Sequence, residues 1–577
     1  MLKATSLLVL ASLPGISAAA DTWVRARSPH VEVLSNGSEA QARRAAEHVE
    51  IFHRVLQSAL APLPGLVEGS RPPLVLAFRD AQSFARFRPL RNDGAPQEVD
   101  GVILGGADRT YIAVNLGADR EDAHEALAHE YTHFVLNPIL PAQPPWMGEG
   151  LAELLAAASL WPESATLGRT SDAHLRRIGR EGSMPLRAQL AVGYLSPTYQ
   201  GAKHRELFYA QSWALVHWIV AGGHGGMPGV MSFAEAIAEG EDPASAFARC
   251  FGMTVDAAEA SLAAYLGTLP LPTVVVPLAS AARAQPIELS AVDAAEMDGH
   301  LGDLLLRGGR TADARSHFAR ALEAGALSAH EGMAGLLLLE GRLDEALWHI
   351  EAALAADPND ARALQRRAEH FVREAAFRGD VLGEAETDRA ANVLERALVS
   401  DPDLADAADL LARLRPTPVA HRIALMRRVV DRQPERAELA FTLAGLHVKR
   451  NDLAAAARVL RRARESTRDE AHRFLSDHLL AKIGTVASSQ GEARGTLETV
   501  ECLAGGALGF RVRTESGLLR LSADSPRSLF LYDAEGDTME RVFTCGPAAL
   551  PVTARYLSGP SGAQSHRLLS LSFDGTR

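Results

Sequence analysis

The second half of the sequence repeats itself. The stretches LGDLLLRGGRTADARSHFARALEAGA and MAGLLLLEGRLDEALWHIEAALAADP align with Gly309 above Gly341, Ala314 above Ala346, Phe318 above Ile350 and Ala321 above Ala353, an offset of 32 residues. A period of that length holds one pair of antiparallel helices, and such a pair cannot bury its apolar face alone, so neighbouring pairs must stack. A third unit ends at AANVLERALVSDP and a fourth at RIALMRRVVDRQP, and LAGLHVKRNDLAAAARVLRRA makes a fifth, so the array runs over 295–480. Small residues at the matched positions let the helices approach, and the closing proline ends each second helix.

The remaining chain is too long to share one core, so 577 residues imply a multidomain protein. Residues 21–268 mix strand-like runs (PLVLAF, DGVILGG, TYIAVNL) with long helices and become increasingly helical, which predicts an α+β domain. Residues 269–294 begin with the Pro-rich, weakly charged LPLPTVVVPLASAARAQP and read as a linker. After a Gly/Ser-containing spacer, residues 496–577 alternate or run apolar between turn signals, which predicts a small all-β domain.

Residues 1–20 have a lysine, an apolar run and then small residues ending in Ala18-Ala19-Ala20, the layout of a signal peptide. The protein is therefore expected to be exported, periplasmic or secreted. No later segment is long and apolar enough for an integral membrane span. With 59 Lys+Arg against 71 Asp+Glu and no basic stripe, nucleic acid is not an expected partner. Cys502 and Cys545 could pair within the last segment, and Cys250 reads as a buried thiol. No C-x-x-C spacing offers a thiolate zinc site.

The segment HEALAHEYTH, residues 124–133, carries the chemistry. Residues four apart share a helix face, so His129 and His133 can reach one ion, and Glu130 can act as general base beside a water without ligating the metal. A second helix begins after Pro144-Pro145-Trp146 and carries Glu149 and Glu153 on one face. Glu149 is the expected third ligand, which leaves a fourth position for water. Glu153, one turn on, would accept a hydrogen bond from a ligand histidine's other ring nitrogen. His124 sits about 140° from His129 around the helix, so His124 and Glu125 are read as surface or supporting residues.

HEYTH followed by WMGEGLAE resembles the gluzincins, the peptidase MA-like zinc metallopeptidases, over 21–268. The resemblance implies zinc as cofactor, with His129, His133 and Glu149 as metal ligands, Glu130 as catalytic base and Glu153 supporting a ligand. It also implies that TYIAVNL is an edge strand for extended peptide, and that a downstream Tyr or His faces the oxyanion. Tyr209 is the preferred residue, ahead of Tyr194, Tyr199, His204 and His217. Gly148 stands where the group usually has Asn, and no aminopeptidase-type Gly-Ala-Met-Glu-Asn motif is present. The array at 295–480 resembles tetratricopeptide repeats, which implies a protein partner. The fold class expected is a gluzincin-like metallopeptidase domain, an all-α tetratricopeptide-type helical array and a small C-terminal all-β domain. The function expected is a zinc metallopeptidase acting on peptide or protein substrate. The alternative is a tetratricopeptide scaffold with an inactive metallopeptidase-like domain.

Overall fold

The structure is a computed structural model. It describes residues 22–573 apart from 61–70, 279–285, 415–418, 504–507, 524–529, 533–544, 558–565 and the shorter stretches 92–93, 106–108, 118–119, 141–142, 162, 195, 201, 240, 381, 435 and 468. The predicted signal segment lies outside the described residues.

The first body is built on a sheet. Strands β1 (Trp23–Arg27) and β2 (Glu32–Ser35) form an antiparallel hairpin, followed by helix α1 (Glu39–Ala59) and strand β3 (Leu74–Phe78). Ser38 and Gln41 close a capping box on α1. This satisfies two amide donors that the first helical turn would otherwise leave bare. After the short helix α2 (Ala81–Ala85) come β4 (Gly101–Leu104) and β5 (Tyr111–Asn115). The strand order is β4-β5-β3-β2-β1-β9, where β9 is Glu288–Val292. β2, β3 and β5 run parallel and are covered on both faces, which is why LVLAF and YIAVN are fully buried.

Two features of the strand pairing correct the sequence reading. TYIAVNL lies inside the sheet as β5, and the edge belongs to β4. The 269–294 segment is not a linker: β8 (Val274–Pro277) pairs antiparallel with β7 (Ser164–Leu167), and β9 pairs antiparallel with β1, Trp23 opposite Val292. The prolines hid β-branched residues whose backbone completes two ladders.

Helix α3 (Arg120–Ile139) packs against β4 and β5 and is followed by α4 (Pro145–Ala156), which starts with Pro at its first position, where no helical N–H partner is needed. A two-residue strand β6 (Ser159–Leu160) hairpins onto β7, then α5 (Asp172–Glu181), α6 (Leu186–Leu190), α7 (Pro197–Gln200) and α8 (Ala202–Val220) follow. α8 packs directly on α4. A Cβ on Gly150 would meet the Ser212 carbonyl at 2.4 Å, so glycine is what allows this approach. Helices α9 (Gly226–Glu239), α10 (Pro243–Phe251) and α11 (Val255–Leu266) complete the body. Cys250 is only partly buried, contrary to the expected buried thiol, because its helix face borders solvent.

The repeat array consists of paired helices: α12 (Ala294–Arg307) with α13 (Thr311–Glu323), α14 (Ala329–Leu339) with α15 (Leu343–Ala356), α16 (Ala361–Phe377) with α17 (Glu384–Ser400), α18 (Ala405–Leu414) with α19 (Val419–Arg432), and α20 (Ala437–Lys449) with α21 (Leu453–Ser466). The aligned glycines have a cause. Gly309, Gly341 and Gly379 turn the chain between paired helices at φ of 76°, 74° and 75°, and Asn451 takes the same left-handed place in the fifth pair at φ 59°.

The array is fastened to the first body at both ends. Met297, Leu301 and Leu304 of α12 share a core with Leu34, Leu74 and Phe78, and the Tyr111 hydroxyl reaches Asp303 at 3.2 Å. At the far end α19 touches α3 and α21 touches α9.

The array does not stop at 480. A final helix, α22 (Glu470–Ser489), runs directly into β10 (Gln490–Cys502), so the sequence GTVASSQGEARG is helix end and strand start rather than spacer. Its small residues read as loop, but Gln490 onwards pairs with β14 (Gly546–Leu557). With β11 (Leu508–Thr514), β12 (Gly517–Ala523), β13 (Phe530–Tyr532) and β15 (His566–Phe573) they form a second sheet, ordered β12-β11-β10-β14-β15-β13 and curled by a β12–β15 pairing. Val500 lies opposite Gly546, which brings Cys502 and Cys545 into a disulfide with Cα atoms 5.7 Å apart.

Candidate metal centre

α3 and α4 pack against each other in the first body. His129 and His133 project from one face of α3, and their Nε2 atoms are 3.1 Å apart. Glu149 answers from α4: its Oε2 is 3.3 Å from His129 Nε2 and 3.4 Å from His133 Nε2. Donors about 2.1 Å from a tetrahedral zinc ion are about 3.4 Å from one another. The three side chains therefore already stand at the spacing such an ion requires. Among the described residues they form the only group of three or more His, Cys, Asp or Glu able to hold a metal.

The donor chemistry points the same way. Glu149 is 2% exposed, and its Oε2 has no hydrogen-bond partner of acceptable geometry. A buried carboxylate oxygen set between two imidazoles needs positive charge beside it, which a protonated imidazole or a cation shared by all three supplies. Burial pushes the Glu149 carboxyl up, but the two histidines outweigh it and hold the group well below the usual carboxylate range. Burial also opposes charge on His129, yet the Glu149 contact and the charges of Glu153, Glu149 and Glu130 raise it to about 9. These residues fit a divalent ion.

A second tier surrounds the donors. Glu153 lies with Oε1 3.5 Å from His129 Nδ1 and Oε2 3.1 Å from His174 Nε2. The Tyr199 hydroxyl donates to Glu149 Oε1 at 2.7 Å. Glu130 sits on α3 against Gly101 of β4, partly exposed, and so borders the open strand edge.

The other sequence candidates separate cleanly. Tyr209 lies along the His129 ring, centroids 6.2 Å apart and planes at 21°. Tyr194 packs edge-on against Tyr199. His217 is buried and held by Tyr265 and the Gly168 carbonyl, a packing role. His204 is exposed. His124 stacks on His48 of α1 with centroids 4.7 Å apart, and Glu125 pairs with Arg169, so neither joins the donors. Sequence reasoning did not find His174, since two short strands separate it from Glu153 and no periodicity links them. It weighed Tyr199 only as an oxyanion donor; its contact with Glu149 depends on a tertiary packing that spacing does not encode.

No protein-family model and no curated protein matches the chain. Among solved structures, likenesses include a thermophilic TPR protein of Thermus thermophilus (20% identity, 33% of this chain and 100% of that one, TM-score 0.28). They also include Pseudomonas aeruginosa pilF (19%, 34% and 86%, TM-score 0.27) and yeast Tom70 (12%, 64% and 75%, TM-score 0.28). At such TM-scores these likenesses carry no argument about activity. The tetratricopeptide-like array stands on the helix pairing described above.

Proposed function

We propose that the chain is an exported zinc-dependent peptidase whose repeat array recruits a protein substrate or partner. One observation carries this reading: two imidazoles and a carboxylate from two packed helices stand at tetrahedral ligand spacing, with an acid adjacent on the same helix. A zinc ion bound there supplies Lewis acidity towards a carbonyl and towards water. His129, His133 and Glu149 would hold it, and Glu153 would keep the His129 ring in the tautomer that presents Nε2. Glu130 takes a proton from the attacking water and returns it to the leaving amine. β4, whose outer edge has no partner strand among the described residues, offers main-chain hydrogen bonds to an extended peptide beside that acid. Tyr209, stacked on His129, is the proposed donor to the developing oxyanion.

A second reading, a protein-binding scaffold with an inactive metal domain, is favoured by the array's surface. Trp348, Phe377 and Val399 are 63%, 83% and 84% exposed, large apolar groups that suit a partner. Metal analysis of the purified chain together with a peptide-library cleavage assay separates the two. One equivalent of zinc with cleavage supports the peptidase, whereas partner capture by a chain that cleaves nothing supports the scaffold.

A further inference from the structure

A site with only three protein donors depends on how well they are oriented beforehand, because any side chain still free to rotate must be immobilised when the ion arrives. Glu149 is the donor most in need of this, since it comes from a different helix than the two histidines. Tyr199 holds it. The hydroxyl donates to Oε1, so Oε2 is the oxygen left facing the imidazoles. The Tyr199 ring is itself wedged edge-on between Tyr194 and Phe208, with centroids 5.3 and 6.0 Å away. The donor therefore cannot swing off the carboxylate without repacking its neighbours.

Glu153 is held in the same manner from the opposite side. One oxygen faces His129 Nδ1 while the other contacts His174 Nε2, and the His174 ring packs on Trp213 with centroids 5.3 Å apart. The backbone of His174 is fixed as well, since its N–H donates to the Ser171 hydroxyl that caps α5.

Resting on the metal-binding reading above, we propose that Tyr199 and His174 are positioning residues for the ion. Tyr199 orients the Glu149 carboxylate, and His174 orients the Glu153 carboxylate that fixes His129. Neither touches the metal, and both act before it binds.

The test uses the full-length chain stripped of metal, with zinc affinity measured by competition against a chelator. Tyr199→Phe keeps the ring and its packing but removes the donor. It is expected to weaken zinc binding about 10- to 100-fold. His174→Ala is expected to weaken it similarly, and His174→Gln, whose amide can still donate to Glu153, is expected to recover most of the loss. The visible absorption of the cobalt-loaded protein should shift in Tyr199→Phe, a change in ligand geometry that a general loss of stability in the metal-free form would not produce. Wild-type zinc affinity in both Tyr199→Phe and His174→Ala, with the parent chain binding one equivalent, would overturn this inference alone. A parent chain that binds no zinc would instead overturn the metal reading and the inference with it.

Discussion

Gly101 on β4 and Glu130 on α3 are in direct contact: a Cβ at residue 101 would come within 3.0 Å of Glu130 Cγ and 3.2 Å of its Oε1. The edge strand and the proposed base are therefore packed as one unit, and glycine leaves the carboxylate room. Gly101→Val is expected to push the Glu130 carboxylate aside and leave the three donors in place. Zinc stoichiometry should be unchanged while peptide turnover falls about 10- to 100-fold, the cost of a misplacement near 1 Å. Unaltered turnover would show that the strand does not position the acid.

A chain ended at residue 268 should not fold. It would lack β9, which covers the β1 edge, β8, which covers the open edge of β7, and the α12 side chains that share the core with Leu34 and Phe78. Circular dichroism and limited proteolysis of the fragment are expected to show an aggregating, protease-sensitive product. A stable, cooperatively unfolding fragment would mean that the array merely leans on the first body.

Acid should loosen the packing behind α3. His48 is lowered to about 4 by burial and by neighbouring His124, and His53 to about 4 by burial and by His30 against the opposing charge of Glu50. Their unfolded value is near 6.5, so between pH 6.5 and 4 the unfolded chain binds protons that the folded chain refuses. The stabilisation is complete above 6.5 and lost as pH falls towards 4, on the order of 1 to 3 kcal/mol per histidine. Thermal midpoints at pH 7.5 and 4.5 read this directly. His48→Phe, which keeps an aromatic ring against His124, should show a smaller drop, and an equal drop would exclude His48 as a source.

The C-terminal sheet should depend on its disulfide. Cys502 and Cys545 are 43 residues apart, and opening a loop of that size costs roughly 2 to 4 kcal/mol. Cys545→Ser is expected to lower the denaturant midpoint of this sheet while zinc binding by the first body stays unchanged. An unshifted midpoint would mean that the β10–β14 ladder alone secures the sheet.

The parts of the molecule legible in the sequence were those with local causes. Gly309 and Gly341 marked the repeat because the turn between paired helices takes a left-handed residue. The grouping of His129 and His133 follows from helical spacing alone. Long-range pairing was not legible. The resemblance implies an edge strand at β5, but β4 pairs outside it, and the prolines around Val274 obscure a strand whose partner lies more than a hundred residues earlier. His174 and Tyr199 reach the centre only through tertiary packing, and no spacing rule connects them to Glu153 or Glu149.

The most direct measurement is zinc content and peptide cleavage by the full-length Glu130→Gln chain, side by side with wild type. The expected result is one equivalent of zinc in both proteins, with cleavage in the variant reduced by about 100-fold or more. A variant that keeps its zinc and cleaves at the wild-type rate would contradict the assignment of Glu130 as the base and the mechanism built on it.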